Sequence, residues 1–276
     1  MKKLYKSIVL FISIVISLIT FVLNGFRTNH RKLDFLIIGA QKSGTSALEA
    51  YLSFNPEIGM ANRKEVHYFS SDVMFKLPTW LRETWYQQYF EGRKINQKVV
   101  GEATPNYMVE PRFIDRIHDY NSAIKLIVIL RDPVSRAYSH WNMQCQRGLE
   151  HRSFDQAIAD NLDQLKAKNE LDHTVSYIAR GHYAQQLSYI LSVFPRDQVL
   201  VLFQQELKLD PLKVMNQLVG FLGVSPYRRM DSIHVHTRDY HEPMSDTVKK
   251  QLTTYFIPEI QALEELLNVD LSNWKE

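Results

Sequence analysis

DFLIIGAQKSGTSAL, residues 34–48, is a short apolar run that breaks at two glycines and then continues with helix-forming residues. The run 35–38 is short, β-branched and apolar, which is typical of a buried parallel strand. Gly39 and Gly44 permit a tight turn, so that backbone amides and the N-terminus of the next helix can face an anion. The stretch therefore predicts a strand, a phosphate-binding loop and a helix.

The lysine of this phosphate loop lies in an unusual place. The common nucleotide triphosphatase loop reads GxxxxGK[ST], with lysine directly after the second glycine. Here Lys42 precedes Gly44 by two residues, and Thr45 and Ser46 follow that glycine. The order indicates a phosphate loop that is not built around ATP and magnesium. The alternative is a glycine-containing turn with a solvated lysine.

Composition excludes some classes of protein. With 276 residues and 45% hydrophobic content, the chain is long enough for a large domain with a sizeable core. Its net charge is only +3, which argues against a dedicated nucleic-acid-binding protein because such a protein concentrates a basic excess. Cys145 is the single cysteine, so no disulfide can form within the chain.

The N-terminal segment is strongly apolar. Residues 8–23 approach the length of about 17 residues that a helix needs to span a bilayer. No alanine precedes Ala40, so the usual cleavage site of a signal peptide is lacking. The sequence predicts an uncleaved, single-pass membrane anchor with a short basic linker over residues 1–33, followed by one domain over residues 34–276. Basic residues flank the apolar run on both sides and leave its orientation open.

Beyond residue 33, strand-like and helix-like runs alternate. This alternation is typical of a single α/β domain with a central parallel sheet flanked by helices. The predicted strands are 34–39, 98–101, 123–130 and 198–203. The predicted helices are 45–53, 111–120, 133–147, 181–194, 211–222 and 245–267. The polar interval 149–176 is predicted as a surface helix with a mobile loop.

A second segment, residues 124–140, reads IKLIVILRDPVSRAYSH. A buried strand ends at Arg131, and Ser139 lies about two turns along the helix that follows. Both side chains are expected to converge on one anion at the carboxyl edge of the sheet, where ligands bind in open α/β proteins. Arg136 is assigned instead to an ordinary ion pair, for which two carboxylates are candidates: Asp132 and Asp115.

Together these segments resemble the sulfotransferase superfamily that uses 3′-phosphoadenosine-5′-phosphosulfate (PAPS), in particular its heparan-sulfate-type and bacterial branch. The resemblance spans nearly all of residues 34–267. Its segments are FLIIGAQKSGTSAL at 35–48, KEVHYF at 64–69, GEATPNY at 101–107, LRDPVSRAYSH at 130–140, RGHYAQQLSYILSVFP at 180–195 and YHEPMSDTVKKQL at 240–252. The resemblance implies a P-loop-type enzyme that moves a sulfuryl group in line to a hydroxyl or amine.

The resemblance also implies where the two charged ends of PAPS bind. Arg131 and Ser139 would hold the 3′-phosphate, which distinguishes PAPS from ATP or GTP. The family's C-terminal cofactor loop falls near residues 236–240, where Arg238 is the implied contact. The residues implied around the 5′-phosphosulfate are Lys42, Ser43, Gly44, Thr45 and Ser46.

The chemistry of sulfuryl transfer assigns further roles. The leaving oxygen must be neutralised and the acceptor must lose a proton. Lys42 suits the first task because its ammonium is a mobile point charge with several donors. By resemblance to the family's KE-x-H-[FY]-F motif, Glu65 is the base and His67 the second candidate, whereas Glu102 is expected to orient Lys42 or the acceptor. The alternative for Glu65 is a solvated charge pair with Lys64.

The positions associated with the acceptor depart from the heparan-type sequence pattern. Ser70 and Ala103 stand where those relatives often carry an aspartate and a lysine, and their usual C-terminal disulfide is impossible with one cysteine. The implied acceptor is therefore a glycan, a glycolipid or a small hydroxyl compound. No metal is expected, because the histidines are scattered and the chemistry requires none. A small-molecule kinase or nucleotide-binding protein is the alternative function, and the position of Lys42 argues against it.

Overall fold

A five-stranded parallel sheet forms the centre of the computed structural model, which describes residues 31–91, 96–167, 176–230 and 242–276. The strands are β1 (Phe35–Gly39), β2 (Ile58–Met60), β3 (Val99–Ala103), β4 (Lys125–Leu130) and β5 (Val199–Phe203). They lie in the order β2-β3-β1-β4-β5, and each neighbouring pair is parallel. The predicted single α/β domain with a central parallel sheet is confirmed.

Helices flank this sheet. They are α1 (Thr45–Ser53), α2 (Thr79–Gln87), α3 (Pro111–Tyr120), α4 (Pro133–Gln146), α5 (Phe154–Lys166), α6 (Tyr183–Val193), α7 (Gln204–Leu209), α8 (Pro211–Leu222) and α9 (Asp246–Leu267). The predicted helices end within two residues of the observed ones. The surface helix expected in 149–176 is α5, whereas the loop portion 168–175 lies outside the described residues.

The central strand β1 is apolar throughout because both faces of the sheet are covered. Leu36 and Ile38 belong to one buried cluster, which α3, α4, α6 and α9 complete. Phe35 and Ile37 point to the opposite face and belong to a second cluster, which α1 and α8 complete. Side chains that alternate between two helical layers explain why this run shows no polar alternation.

Two short elements, β2 and α7, escaped the sequence analysis. Strand β2 has only three residues and lies at the edge of the sheet, where it pairs with β3. Helix α7 follows β5 directly and has six residues. Such lengths are too short for hydrophobic periodicity to be recognised.

A side-chain cap fixes the start of α4 next to the end of β4. The Asp132 carboxylate accepts hydrogen bonds from the amides of Val134 at 3.2 Å and Ser135 at 2.8 Å. Pro133 occupies the first turn, where its missing N–H is not needed. Because the turn is fixed in this way, Arg131 lies at the carboxyl edge of the sheet and the exposed face of α4 extends from it.

The predicted location in a membrane is contradicted. Within the described ranges, no helix is both long enough and apolar enough to cross a bilayer. Helix α9 has 22 residues, but charged side chains such as Lys249, Lys250 and Glu259 interrupt it. The apolar run 8–23, on which the anchor prediction depended, lies outside the described residues. The boundary between residues 33 and 34 stays a prediction.

Gly101 is expected to tolerate no side chain. It pairs with Phe35 across β3 and β1, and an added Cβ would lie 2.4 Å from the Phe35 carbonyl oxygen. Since this oxygen belongs to the backbone, the two strands would have to separate. Gly101→Ala should therefore lower the free energy of unfolding by about 1–3 kcal/mol in urea denaturation.

Gly220 on α8 provides the control, because an added Cβ there meets nothing within 4 Å. Gly220→Ala should leave the free energy of unfolding unchanged or raise it by up to about 1 kcal/mol, since alanine favours the helix. Similar losses in both variants would show that the contact with Phe35 does not limit residue 101.

Candidate active site

The phosphate loop connects β1 to α1 in a conformation that suits anion binding. Lys42 and Gly44 have positive φ angles of 71° and 109°, and Gly44 is the N-cap of α1. The Ala40 amide donates to the Ile129 carbonyl at 2.8 Å, which ties the loop to β4. The first amides of α1 have no partner within the helix and carry the positive end of its dipole. The loop therefore presents donors and positive potential to an anion.

One cavity of about 200 Å³ lies over this loop at the carboxyl edge of the sheet. It brings together segments that are far apart in the sequence: the phosphate loop, the KEVH segment, the end of β4 and the face of α4. The predicted site residues that line it are Lys42, Gly44, Thr45, Ser46, Glu65, Arg131 and Ser139.

Arg131 joins the two halves of the cavity. Its Nη1 donates to the carbonyl oxygen of Lys42 at 3.3 Å, so the guanidinium lies beside the phosphate loop. The Tyr183 hydroxyl donates to the Arg131 carbonyl at 3.0 Å and fixes the backbone at the end of β4. Ser139 faces the same cavity from two turns further along α4. Arg131 and Ser139 therefore line one cavity, and their contact with one shared anion stays a prediction.

Ser43 is a predicted cofactor residue whose side chain lies outside the cavity. Ser43 has no exposed surface, and its side chain does not line the cavity. Any contact from Ser43 to a ligand would therefore come from its backbone. Arg238 and the surrounding loop 236–240 lie outside the described residues.

Glu65 faces the cavity from a loop with unusual backbone angles. Glu65 and His67 have positive φ angles of 53° and 60°, and the Glu65 side chain is 35% exposed. His67 Nε2 lies 3.7 Å from Glu65 Oε2. This polar contact is the main cause that lowers the pKa of the Glu65 carboxyl, and it outweighs the opposing effect of burial. Glu65 is therefore ionised at neutral pH and able to accept a proton.

Lys64 turns toward the phosphate loop instead of pairing with Glu65 in solvent. Its Nζ donates a hydrogen bond to Ser46 Oγ and lies 3.8 Å from Glu49 Oε2. Lys64 also lines the cavity. The alternative of a solvated Lys64–Glu65 pair is therefore not observed, and the loop gains a second lysine that sequence analysis did not assign to the site.

Further cavity residues were missed by the sequence analysis. Met143 follows Ser139 by four residues on one face of α4, and Arg147, the C-cap of α4, follows Met143 by four more. Gln204 lines the cavity from the position directly after β5. The helical spacing and the predicted strand end at 203 were the signals that could have found them.

Arg136 does not form the ion pair that was expected. It is fully buried in α4 and donates to the Tyr177 carbonyl. Among the described residues, its Nε and Nη1 have no hydrogen-bond partner. Asp132 instead caps α4, and Asp115 accepts from the Tyr189 hydroxyl at 2.7 Å. Burial lowers the pKa of Arg136 to about 10, a reduction that still leaves it charged at neutral pH.

The charges of the cavity favour an anionic ligand. Of the described side chains that line it, four are cationic, namely Lys42, Lys64, Arg131 and Arg147, and one is a carboxylate, Glu65. Such a concentration attracts and stabilises negative charge. A second cavity of about 310 Å³ adjoins it at Arg131 and Gln204 and contains no residue of the phosphate loop. Within the described ranges, no cluster of three His, Cys, Asp or Glu side chains could hold a metal ion.

Comparison with known proteins agrees with this geometry. The family model for the sulfotransferase domain matches residues 32–256. The membrane-associated sulfotransferase kil1 of Dictyostelium discoideum is 25% identical over 86% of this chain and 65% of kil1. The heparan sulfate glucosamine 3-O-sulfotransferase 3B1 of Mus musculus is 30% identical over 68% of this chain and 45% of that protein. The chain thus spans less than two thirds of the length of these two relatives.

A solved structure extends the agreement to the whole fold. The crystal structure of a sulfotransferase from Alicyclobacillus acidocaldarius has a TM-score of 0.74 and 32% sequence identity to this chain. The superposition covers 90% of this chain and 100% of the other. The predicted family and the predicted enzyme class are both confirmed. This chain belongs to the sulfotransferase domain family.

Proposed function

We propose that this chain transfers the sulfuryl group of PAPS to a hydroxyl or amine of an acceptor. Members of its family generally use PAPS as the sulfate donor. The observation that carries the proposal is the cavity in which the phosphate loop, Arg131 with Ser139 and the Glu65 carboxylate meet. PAPS has charged groups at both ends and an acceptor must lose a proton, so each of these features has a task.

The donor would bind through its two charged ends. Lys42 and the amides of residues 43–46 would hold the 5′-phosphosulfate, because the helix N-terminus and the ammonium both favour negative charge. Arg131 and Ser139 would hold the 3′-phosphate, for which a guanidinium offers several directed donors. The hydrogen bond from Arg131 to the Lys42 carbonyl keeps these two subsites in a fixed relation.

The reaction would then proceed in line. The acceptor oxygen or nitrogen forms a bond to sulfur while the bond from sulfur to the bridging phosphate oxygen breaks. Glu65 takes the acceptor proton, and Lys42 stabilises the charge that develops on the bridging oxygen. The products are the sulfated acceptor and adenosine 3′,5′-bisphosphate. Glu65 is ionised at neutral pH, as this task requires, and the polar contact with His67, which lowers its pKa, also makes it a weaker base than a free glutamate.

The acceptor proposed is a glycan, a glycolipid or a small hydroxyl compound. One relative is named as a heparan sulfate sulfotransferase, which favours a sugar hydroxyl or amine. Ser70 and Ala103 replace the charged residues expected for heparan-type relatives, so the proposal is not restricted to heparan sulfate. The domain proposed to carry out the reaction is residues 34–276.

Binding of adenosine 3′,5′-bisphosphate tests the donor assignment. We expect this product to raise the melting temperature more than ATP with magnesium does, because a ligand that binds the native state stabilises it by mass action. A larger shift with ATP and magnesium would favour the alternative of a small-molecule kinase.

Arg131→Ala is expected to remove the contribution of the 3′-phosphate to the binding affinity and to leave that of the rest of the ligand. Loss of a charge-assisted hydrogen bond, worth about 1.5–3 kcal/mol, should weaken adenosine 3′,5′-bisphosphate by about 10- to 150-fold. The affinity for 5′-AMP should change much less, because 5′-AMP has no 3′-phosphate. Isothermal titration calorimetry measures both affinities.

Arg112→Ala is a suitable control, since Arg112 lies on α3 in exposed ion pairs with Asp72 and Glu110. It removes the same charge without touching the cavity and should leave both affinities unchanged. Equal losses for the two ligands in Arg131→Ala would remove the 3′-phosphate assignment.

A further inference from the structure

Glu102, at the end of β3, is a carboxylate buried among hydrogen-bond donors. Its side chain has no exposed surface. Oε1 accepts from the Tyr86 hydroxyl at 2.7 Å and from the Tyr107 hydroxyl at 2.9 Å. Oε2 accepts from Thr104 Oγ1 at 2.8 Å and from the Val66 amide at 3.4 Å. Four donors therefore surround a group that the cavity does not reach.

Burial of a carboxylate is unfavourable unless its hydrogen bonds compensate. Burial raises the pKa of Glu102, and the hydrogen bonds from Tyr86, Thr104 and Tyr107 oppose this shift. An apolar residue could fill the same space without this penalty. The carboxylate differs from an apolar residue in that it connects the core to a backbone amide of the loop that carries Glu65.

Three consecutive amides of that loop donate to three consecutive residues at the end of β3. The Glu65 amide donates to the Ala103 carbonyl at 3.2 Å. The next amide, that of Val66, donates to Glu102 Oε2, and the amide of His67 donates to Thr104 Oγ1 at 3.5 Å. Because Thr104 also donates to Glu102, the two side chains form one support beneath the loop.

The loop needs such a support because its backbone is strained. Glu65 and His67 have positive φ angles of 53° and 60°, which are unfavourable for residues other than glycine. Backbone conformations of this kind persist only where the surrounding structure determines them. With these backbone angles, Val66 and Tyr68 lie in the core, where their exposed fractions are 4% and 1%, whereas Glu65 lies at the cavity.

We infer that Glu102 and Thr104 are positioning residues that hold the strained loop 64–67 so that the Glu65 carboxylate faces the reacting acceptor. This inference rests on the proposed function, in which Glu65 is the base. Neither side chain touches the substrate, since Glu102 and Thr104 are both fully buried. They act through the amides of Val66 and His67.

Thr104→Val tests the inference with little change in volume. It removes the hydroxyl that accepts from the His67 amide and donates to Glu102. We expect kcat to fall about 10- to 100-fold, because small displacements of a reacting group are costly in rate. The affinity for adenosine 3′,5′-bisphosphate should stay unchanged, and Thr104→Ser, which keeps the hydroxyl, should retain near-normal kcat.

Tyr86→Phe is the matched control. It removes one buried hydrogen bond to the other oxygen of Glu102 and keeps the aromatic ring that stacks on Tyr68 at 4.1 Å. We expect Tyr86→Phe to lose about as much unfolding free energy as Thr104→Val does, whereas its kcat should stay within a few-fold of wild type. Equal losses of kcat in Thr104→Val and Tyr86→Phe would overturn the inference, because they would indicate a purely structural network.

Hydrogen exchange of the loop amides provides a readout that does not depend on the chemistry of Glu65. Thr104→Val should accelerate exchange in the peptide that contains Val66 and His67, whereas Tyr86→Phe should not. Unchanged exchange in Thr104→Val would overturn the inference. Normal turnover in Glu65→Gln would instead refute the proposed role of Glu65, and the exchange data would still decide whether Thr104 holds the loop.

Discussion

Glu65→Gln is expected to lower the rate of sulfuryl transfer by about 10²–10⁴-fold, because it removes the proton acceptor and keeps the shape of the side chain. The affinity for adenosine 3′,5′-bisphosphate should stay nearly unchanged, since Glu65 is not among the residues proposed to hold the donor. The measurements are turnover with PAPS at saturating acceptor and a calorimetric titration of the bisphosphate.

Glu57→Gln is the control for this substitution. Glu57 pairs with Lys98 at 2.7 Å, outside the set of residues that line the cavity. Its replacement should leave turnover essentially unchanged, as expected for a surface position. Near-normal turnover of Glu65→Gln would show that Glu65 is not the base, and His67, which lies 3.7 Å from it, would be the next candidate.

Lys42→Ala should impair both binding and transfer, in contrast to Glu65→Gln. The Lys42 ammonium would contact the phosphosulfate before the reaction and the leaving oxygen in the transition state. We expect a loss of about 10²–10³-fold in kcat, comparable to removal of one preorganised donor from an active site, together with weaker binding of adenosine 3′,5′-bisphosphate. The same titration and turnover assays measure both effects.

Lys98→Ala removes a lysine that pairs with Glu57 and does not line the cavity, so it should change neither quantity. A positive φ at residue 42 is about equally unfavourable for lysine and alanine, because both carry a Cβ. The substitution should therefore change the stability little. Normal affinity and turnover in Lys42→Ala would exclude the phosphate loop as the donor site.

The parts of the site that lie close together in the sequence were predictable. Gly39 to Ser46 form a strand end, a turn and a helix start in one stretch, and this local order predicts an anion site. The positions of Arg131 and Ser139 were likewise predictable, the first from the end of a strand and the second from the periodicity of the helix that follows. Parallel strands share their carboxyl edge, so the sequence also predicted that these two segments meet.

Contacts that depend on tertiary packing were not predictable. The contact of Lys64 with Ser46 joins a loop to the first turn of α1, and the residue type of Lys64 does not indicate this partner. Glu102 was expected near Lys42 or the acceptor, but the packing of Tyr86 and Tyr107 buries it completely. Arg136 lies on the buried face of α4, although arginine usually lies at the protein surface.

The most direct test of the central claim is a comparison of two group-transfer reactions on one enzyme preparation. Sulfur-labelled PAPS and γ-phosphorus-labelled ATP with magnesium are offered separately with a panel of glycans, glycolipids and phenols. We predict that the sulfur label moves to an acceptor, with one adenosine 3′,5′-bisphosphate released per transfer, and that the phosphorus label does not move. Transfer of the phosphorus label without transfer of the sulfur label would contradict the account.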